Sequence, residues 1–312
     1  MNLAAPSRPA PGDVPLSRVC GHLLRRSHQV HNLLWAREFG PELTSPQYAV
    51  LTALAARPGI DQARLGDLVA LDKSSVADVV ARLAGRQWVS RERDRSDARR
   101  NVLALTPAAA IALRHLAPKS ARVQDLILAP VPGQRRDRFL RDLRAVARFE
   151  ATPPAAIAAS GPAGLDHRAS DNDVPGHLIR RAQRMHTAYW AQVFDGELTG
   201  PQYAAIHVLA RWPGINQRQL GDAAALDKST AADLLDRLVR RGWVVRHRDP
   251  GDGRGKLLAL TDAPAALVDD LAPRVTEVQD ALLAPLAQPE REGFLRSLAL
   301  VAYAGAPPAA PA

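Results

Sequence analysis

The chain has 312 residues, enough for two domains that each close a core, and 46% hydrophobic, 4% aromatic and 23% charged residues exclude wholesale disorder in favour of an aliphatic, helical, globular protein. Forty-one lysines and arginines against 32 acidic residues leave +9, a balance that favours a polyanionic partner. No apolar run suits a membrane span or a leader peptide, and the single cysteine, Cys20, suits a reducing compartment, so a cytoplasmic protein is expected.

In chain order, residues 1–13 read as a disordered arm. Leu16 to Phe39 carries apolar residues at Val19, Leu23, Val30, Leu33 and Leu34, a helical pattern that ends before Gly40-Pro41. Ser45-Pro46 opens a second helix that Pro58-Gly59 stops, and a short helix runs from Asp61 to Val69. Asp72 caps a further helix continuing to about Arg86. Trp88–Arg93 and Asn101–Leu105 have strand-like patterns around the polar stretch RDRSDARR, a hairpin. Thr106-Pro107 starts a long helix to about Leu128, with a bend expected at Pro118, and a last helix covers about Gly133 to Phe149. Helices followed by a hairpin in this order predict a winged helix-turn-helix.

The whole pattern then repeats. Pro46-Gln47-Tyr48-Ala49 returns as Pro201-Gln202-Tyr203-Ala204, an offset of 155 residues, and Leu71-Asp72-Lys73-Ser74 returns as Leu226-Asp227-Lys228-Ser229 at the same offset. Val19–Ala147 and Val174–Ala302 share 65 identities over 129 positions without a gap, which marks a tandem duplication. The expected organisation is repeat 1 over 14–150, a linker over 151–172, repeat 2 over 173–304 and a disordered tail over 305–312. The Ala/Pro-rich linker has 22 residues, able to span roughly 70 Å when extended.

On the helix from Asp72 to Arg86, rotation by 100° per residue puts Val76, Val80 and Leu83 on a core face and Ser74, Asp78, Ala81, Arg82 and Gly85 opposite, with Lys73 and Ser75 free near the start. Small hydroxyls at a helix start approach bases and phosphates closely, and Lys73 and Arg82 add positive charge, as a recognition helix in a major groove requires. A merely solvated amphipathic face accounts for the same surface. The hairpin tip crowds Arg93, Arg95, Arg99 and Arg100 beside Asp94 and Asp97, and its copy keeps Arg246, Arg248, Asp249, Asp252 and Arg254 and adds Lys256. An arginine at such a tip suits a minor groove.

These residues resemble the MarR family of winged-helix transcriptional regulators in both repeats. The resemblance rests on Pro58-Gly59-Ile60-Asp61-Gln62, on LDKSSVADVVARLAGRQWV, and on the Asp97-x-Arg99 wing followed by Leu105-Thr106, each with its counterpart 155 residues on. It implies a ligand-relieved repressor of double-stranded DNA, with the terminal helices forming a dimer interface and an effector pocket between that interface and the DNA-binding lobe. Members of the family usually dimerise as separate chains. Both halves are covalently joined here, so the expected fold is mainly α with small β-wings, two winged-helix domains in a pseudo-twofold arrangement within one chain. Ser75, Ala81 and Gly85 become Thr230, Asp236 and Arg240 in the copy, so the two half-sites need not match.

The expected DNA contacts are Gln62, Lys73, Ser74, Ser75, Asp78, Arg82, Arg93, Arg95 and Arg99 in repeat 1, and Gln217, Lys228, Ser229, Thr230, Asp233, Arg237, Arg248 and Arg254 in repeat 2. For a small ligand, in particular an aromatic acid, Arg25, His31, Trp35 and Tyr48 recur as Arg180, His186, Trp190 and Tyr203, with rings to stack and cations for a carboxylate. Ordinary packing of Trp and Tyr beside snorkelling arginines explains the same residues. Cys20 offers a redox alternative, since peroxide-sensing members carry a reactive cysteine near the start of that helix and Arg18 and Arg25 would favour thiolate. Those sensors use tyrosines that have no counterpart near Cys20. No phosphate loop, nucleophile elbow or metal-ligand spacing appears, so neither an enzyme nor a metal or other cofactor is expected. A protein-interaction module or antirepressor that has lost DNA contact is the opposing class, disfavoured by the retained Arg99 and Arg254.

Overall fold

The computed structural model of the chain describes residues 15–93, 101–148, 172–249, 251 and 255–304. The arm, the tail, both hairpin tips and the linker up to residue 171 lie outside the described residues. A 3₁₀ turn at Leu16–Arg18 precedes α1 (Cys20–Phe39), so the helix expected from Leu16 starts four residues later. Gly40, in the left-handed region at φ +61°, ends it.

In α2 (Ser45–Ala56), the Thr44 hydroxyl accepts from Gln47 N and the Gln47 side chain accepts from Thr44 N, a capping box that satisfies two otherwise orphan amides. A short strand β1 (Ile60–Asp61) follows, then α3 (Gln62–Leu68) capped by Asp61, and α4 (Lys73–Gly85) capped by Asp72. Strands β2 (Val89–Arg93) and β3 (Asn101–Leu105) form the wing, and α5 (Pro107–Leu128) runs on through Pro118 to α6 (Gly133–Val146). β1 is an addition to the expected hairpin. It pairs antiparallel with β3 (Ile60 opposite Leu103) to give the strand order β1-β3-β2, and two residues are too few to leave a periodic signal.

The second repeat reproduces each element as α7 (Pro175–Phe194), α8 (Gly200–Arg211), β4 (Ile215–Asn216), α9 (Gln217–Ala224), α10 (Lys228–Arg240), β5 (Val244–Arg248), β6 (Lys256–Leu260), α11 (Asp262–Leu283) and α12 (Gln288–Ala302). Its sheet has the order β4-β6-β5. The fold is mainly α with two small sheets, as expected, and among the described residues no helix is long and apolar enough to cross a membrane.

The compact units do not follow the repeat boundaries at 14–150 and 173–304. One unit is His28–Arg184, and the other joins Met1–Ser27 to Met185–Ala312. Each therefore holds the winged helix of one repeat and the leading half of the first helix of the other. In the unit His28–Arg184, Trp35, Phe39, Tyr48, Leu54, Val80 and Leu83 share one core. In the other unit, Leu16 and Val19 are buried with Trp190, Phe194 and Leu209. Complete burial of a residue such as Leu83 or Leu235 contributes about 1.5–3 kcal/mol.

Candidate nucleic-acid interface and buried arginine pocket

Val76, Val80 and Leu83 turn α4 towards the core. The opposite face, with Lys73, Ser74, Asp78, Ala81 and Arg82, is exposed, and so are Lys228, Ser229, Thr230, Asp233, Asp236 and Arg237 on α10. Gln62 and Gln217, each the first residue of its helix, are half-buried.

The hydroxyls at both helix starts are not free, which corrects the expectation for Ser75. Ser74 Oγ donates to Asp72 Oδ1 at 2.6 Å and Ser75 Oγ to Asp72 Oδ2 at 2.7 Å, while Ser75 N donates to Oδ1 at 2.9 Å. Asp227 takes the same three bonds from Ser229 Oγ, Thr230 Oγ1 and Thr230 N. These bonds hold the Asp72 carboxyl well below the usual carboxylate range and bring Asp227 down to about 2, with the serine hydroxyl the largest cause in each case. With their protons committed inward, the hydroxyl oxygens keep lone pairs facing outward and act there as acceptors.

The two lobes differ on this face. Asp236 Oδ1 lies 2.6 Å from Arg246 Nη2 of β5, tying α10 to the wing, whereas position 81 of α4 is alanine. At the wings, Arg93 closes β2 and the exposed Arg248 closes β5. Arg95, Arg99 and Arg254 lie outside the described residues, together with Asp94, Asp97, Arg100 and Asp252.

Within the unit His28–Arg184, a small cavity offers about 20 Å³ of space open to the centre of a water molecule. Its walls are His31 and Trp35 of α1, Ser45, Tyr48 and Ala49 of α2, Ser120 and Gln124 of α5, and Asn172, Val174, His177 and Arg180. Such a space holds a water but is well short of the several hundred Å³ of a drug-sized pocket. His31, Trp35 and Tyr48 thus meet Arg180 and not Arg25, a correction to the expected grouping by repeat. Arg25 stands ten residues, about 15 Å of helix rise, before Trp35, too far to line the same small space. It belongs with His186, Trp190 and Tyr203 in the other unit.

The rings do structural work as well. Trp35 Nε1 donates to Leu43 O at 2.7 Å and its ring stacks on Phe39 at 4.1 Å, and Trp190 repeats both contacts with Leu198 O and Phe194. Gly176 lets α7 approach His31, since a Cβ there would fall 2.3 Å from its Nε2. At the start of α7, Pro175 has no N–H and Gly176 N donates to Gln124 Oε1 at 2.9 Å.

Arg180 is buried, with 8% of its surface exposed, and no carboxylate lines the cavity. Its Nη1 donates to Ser45 Oγ at 3.3 Å and its Nη2 to His177 Nδ1 at 2.9 Å, and Nε has no hydrogen-bond partner among the described residues. Burial brings the guanidinium down to about 10. Burial first, then the charge of Arg180, pushes His28 down to about 4 and His31 to about 3, so both rings are neutral near pH 7.

Ser45, Ser120, Gln124, Asn172 and His177 were not among the expected pocket residues. His177 alone left a signal, three residues before Arg180 on one helical face and matched by His22 before Arg25. Asn172, assigned to the linker, is buried in the left-handed conformation (φ 58°), donating to Ala49 O and accepting from Thr52 Oγ1.

Cys20 is wholly buried at the start of α1, and burial pushes its thiol up to about 12. That is the opposite of the activation a redox sensor requires, because a thiolate buried there loses its solvation.

Two family models, both described as the MarR family, match residues 43–100 and 197–255. The transcriptional regulator HosA of Escherichia coli O111:H- is 35% identical over 123 residues, 39% of this chain and 90% of the relative. The HTH-type transcriptional repressor NicR of Pseudomonas putida is 33% identical over 121 residues, 38% of this chain and 77% of the relative. Among solved structures, the PcaV transcriptional regulator from Streptomyces coelicolor, in complex with its natural ligand, has 42% identity and a TM-score of 0.42, covering 44% of this chain and 97% of that one. With each winged-helix repeat matched in turn by its family model, this chain belongs to the MarR family, of which it carries two copies in tandem.

Proposed function

We propose that the chain is a sequence-specific, double-stranded-DNA-binding transcriptional repressor in which one polypeptide supplies both reading heads of an operator. The observation that carries this is the paired set of α4 and α10, two helices of one chain that expose the same Lys-Ser start and the same Asp and Arg on the outward face. Lys73, Ser74, Ser75, Asp78 and Arg82, and Lys228, Ser229, Thr230, Asp233 and Arg237, enter major grooves in this reading. Gln62 and Gln217 meet phosphate, and the wing arginines, Arg93, Arg95, Arg99, Arg248 and Arg254, reach the backbone and minor grooves. Relatives named as a transcriptional regulator and a transcriptional repressor support the direction of control.

The effector is a small aromatic acid held by Arg180 beside His31, Trp35 and Tyr48, side chains that must part to widen the water-sized cavity around it. A guanidinium without a carboxylate partner among the described residues supports an anion there, and the flanking rings support a planar one. The route to DNA is short. The same half of α7 that carries Arg180 carries Arg181 and Arg184, whose guanidiniums donate to Asp67 O at 3.0 Å and Leu71 O at 3.1 Å, at the end of α3 just before α4. Drawing Arg180 onto an anion moves this grip and with it the recognition helix.

Gel-shift titration of the purified chain on its own upstream intergenic DNA, with mass measured for free and bound species, tests the reading. One chain per shifted site is expected. No shift there, followed by no enrichment of any duplex from a random library, would transfer the assignment to a protein-interaction module.

A further inference from the structure

The duplication gives this chain two copies of every pocket element, yet the two arginines at its centre are used differently. Arg180 is buried against Ser45 Oγ and His177 Nδ1 and leaves Nε unmatched beside the cavity. Its counterpart Arg25 is half-buried and already committed: Nε donates to Ala225 O at 3.2 Å and Nη2 to Ala224 O at 3.0 Å. Those carbonyls close the C-terminus of α9, where Ala225 is left-handed at φ 53°. A cation on that end satisfies orphan carbonyls and complements the helix dipole.

The surrounding residues diverged in the same sense. Ser45 and Ser120, which give the Arg180 cavity two hydroxyls, stand where the other copy has Gly200 and Val275, and the buried Asn172 stands where it has Ser17. Without those groups a carboxylate placed at Arg25 would lose polar partners and would also have to strip Arg25 from its cap.

We propose that the chain takes one effector anion and not two: the Arg180 site is the binding site for an aromatic carboxylate, and the Arg25 site has become a structural strut that caps α9. This rests on the effector reading above. It makes regulation one-sided, because the anion acts on the unit His28–Arg184 and its helix α4, and α10 is held by a fixed contact.

The test is isothermal titration of the full chain with benzoate, with benzamide as the neutral control. One benzoate per chain is expected, with Arg180→Met weakening it by about tenfold or more and Arg25→Met leaving affinity within about twofold. Two benzoates per chain, or equal losses in the two variants, would overturn the proposal. Melting of the ligand-free variants separates this inference from the effector reading. Arg25→Met, losing a cap, should lower Tm by several degrees, whereas Arg180→Met, removing a buried cation that has no counter-charge, should leave Tm unchanged or raise it. No benzoate bound by wild type would count against the effector reading, and the reverse order of melting temperatures would count against the strut.

Discussion

Asp72 and Asp227 cap α4 and α10, and each orients two hydroxyls with a single carboxylate. Their folded pKa values are depressed, so this contribution to stability is complete above the ordinary carboxylate pKa near 4 and is lost as pH falls towards 2. Replacing either with alanine should lower the urea midpoint and release the hydroxyls from their fixed orientation. Denaturant melts of Asp72→Ala and Asp227→Ala check this, and unchanged midpoints would remove the cap from the account. A second residue-scale effect concerns Asp236, which neutralises Arg246 on a face proposed to meet phosphate. Asp236→Ala should tighten DNA binding several-fold and steepen its salt dependence by about one charge equivalent. Weaker binding in that variant would instead mean that Asp236 reads a base.

At the scale of elements, the leading half of α7 packs neutral histidines and a guanidinium with no carboxylate lining its cavity into one small volume. His28 and His31 titrate near 4 and 3 when folded and near 6.5 when unfolded. Between those values the unfolded chain binds more protons, so stability must fall as pH drops below about 6.5. Tm is expected to be level from pH 8 to 7 and to decline steadily towards pH 4, with a smaller decline in His31→Gln. A level Tm down to pH 5 would contradict the burial of these rings. The grip of Arg181 and Arg184 on the end of α3 leads to a second expectation. Alanine at both positions should leave effector binding intact and uncouple it from DNA release, as read by gel shift with and without benzoate.

For the whole molecule, the proposal of two reading heads on one chain predicts a DNA affinity independent of dimerisation, so the midpoint of a gel shift should not sharpen with protein concentration as a dimerising regulator's does. An interface of about six phosphate contacts, proposed for the heads and wings together, would lose about a thousandfold in affinity between 50 and 200 mM salt. Arg99→Ala and Arg254→Ala should each weaken binding several-fold with Tm unchanged. Equal affinity in both variants and in the double variant would exclude the wings from the interface.

The repeat, the element order, the capping aspartates and the core face of α4 were legible in the amino-acid sequence because they are local. A cap needs its own next three residues, a helix face needs a period of 3.6, and duplication preserves spacing. The strand β1 left no such mark, being two residues long and defined only by its partner β3. The pocket was legible in residue types but not in its grouping. His31, Trp35 and Tyr48 were marked by their recurrence, but whether they meet Arg25 or Arg180 depends on which half-helix packs on which winged helix. For His31 that choice depends on Gly176, on the first helix of the other repeat. Tertiary packing decided it, by burying Gly176 against His31 and Gly21 against His186, and so placed two equivalent arginines among different hydrogen-bond partners.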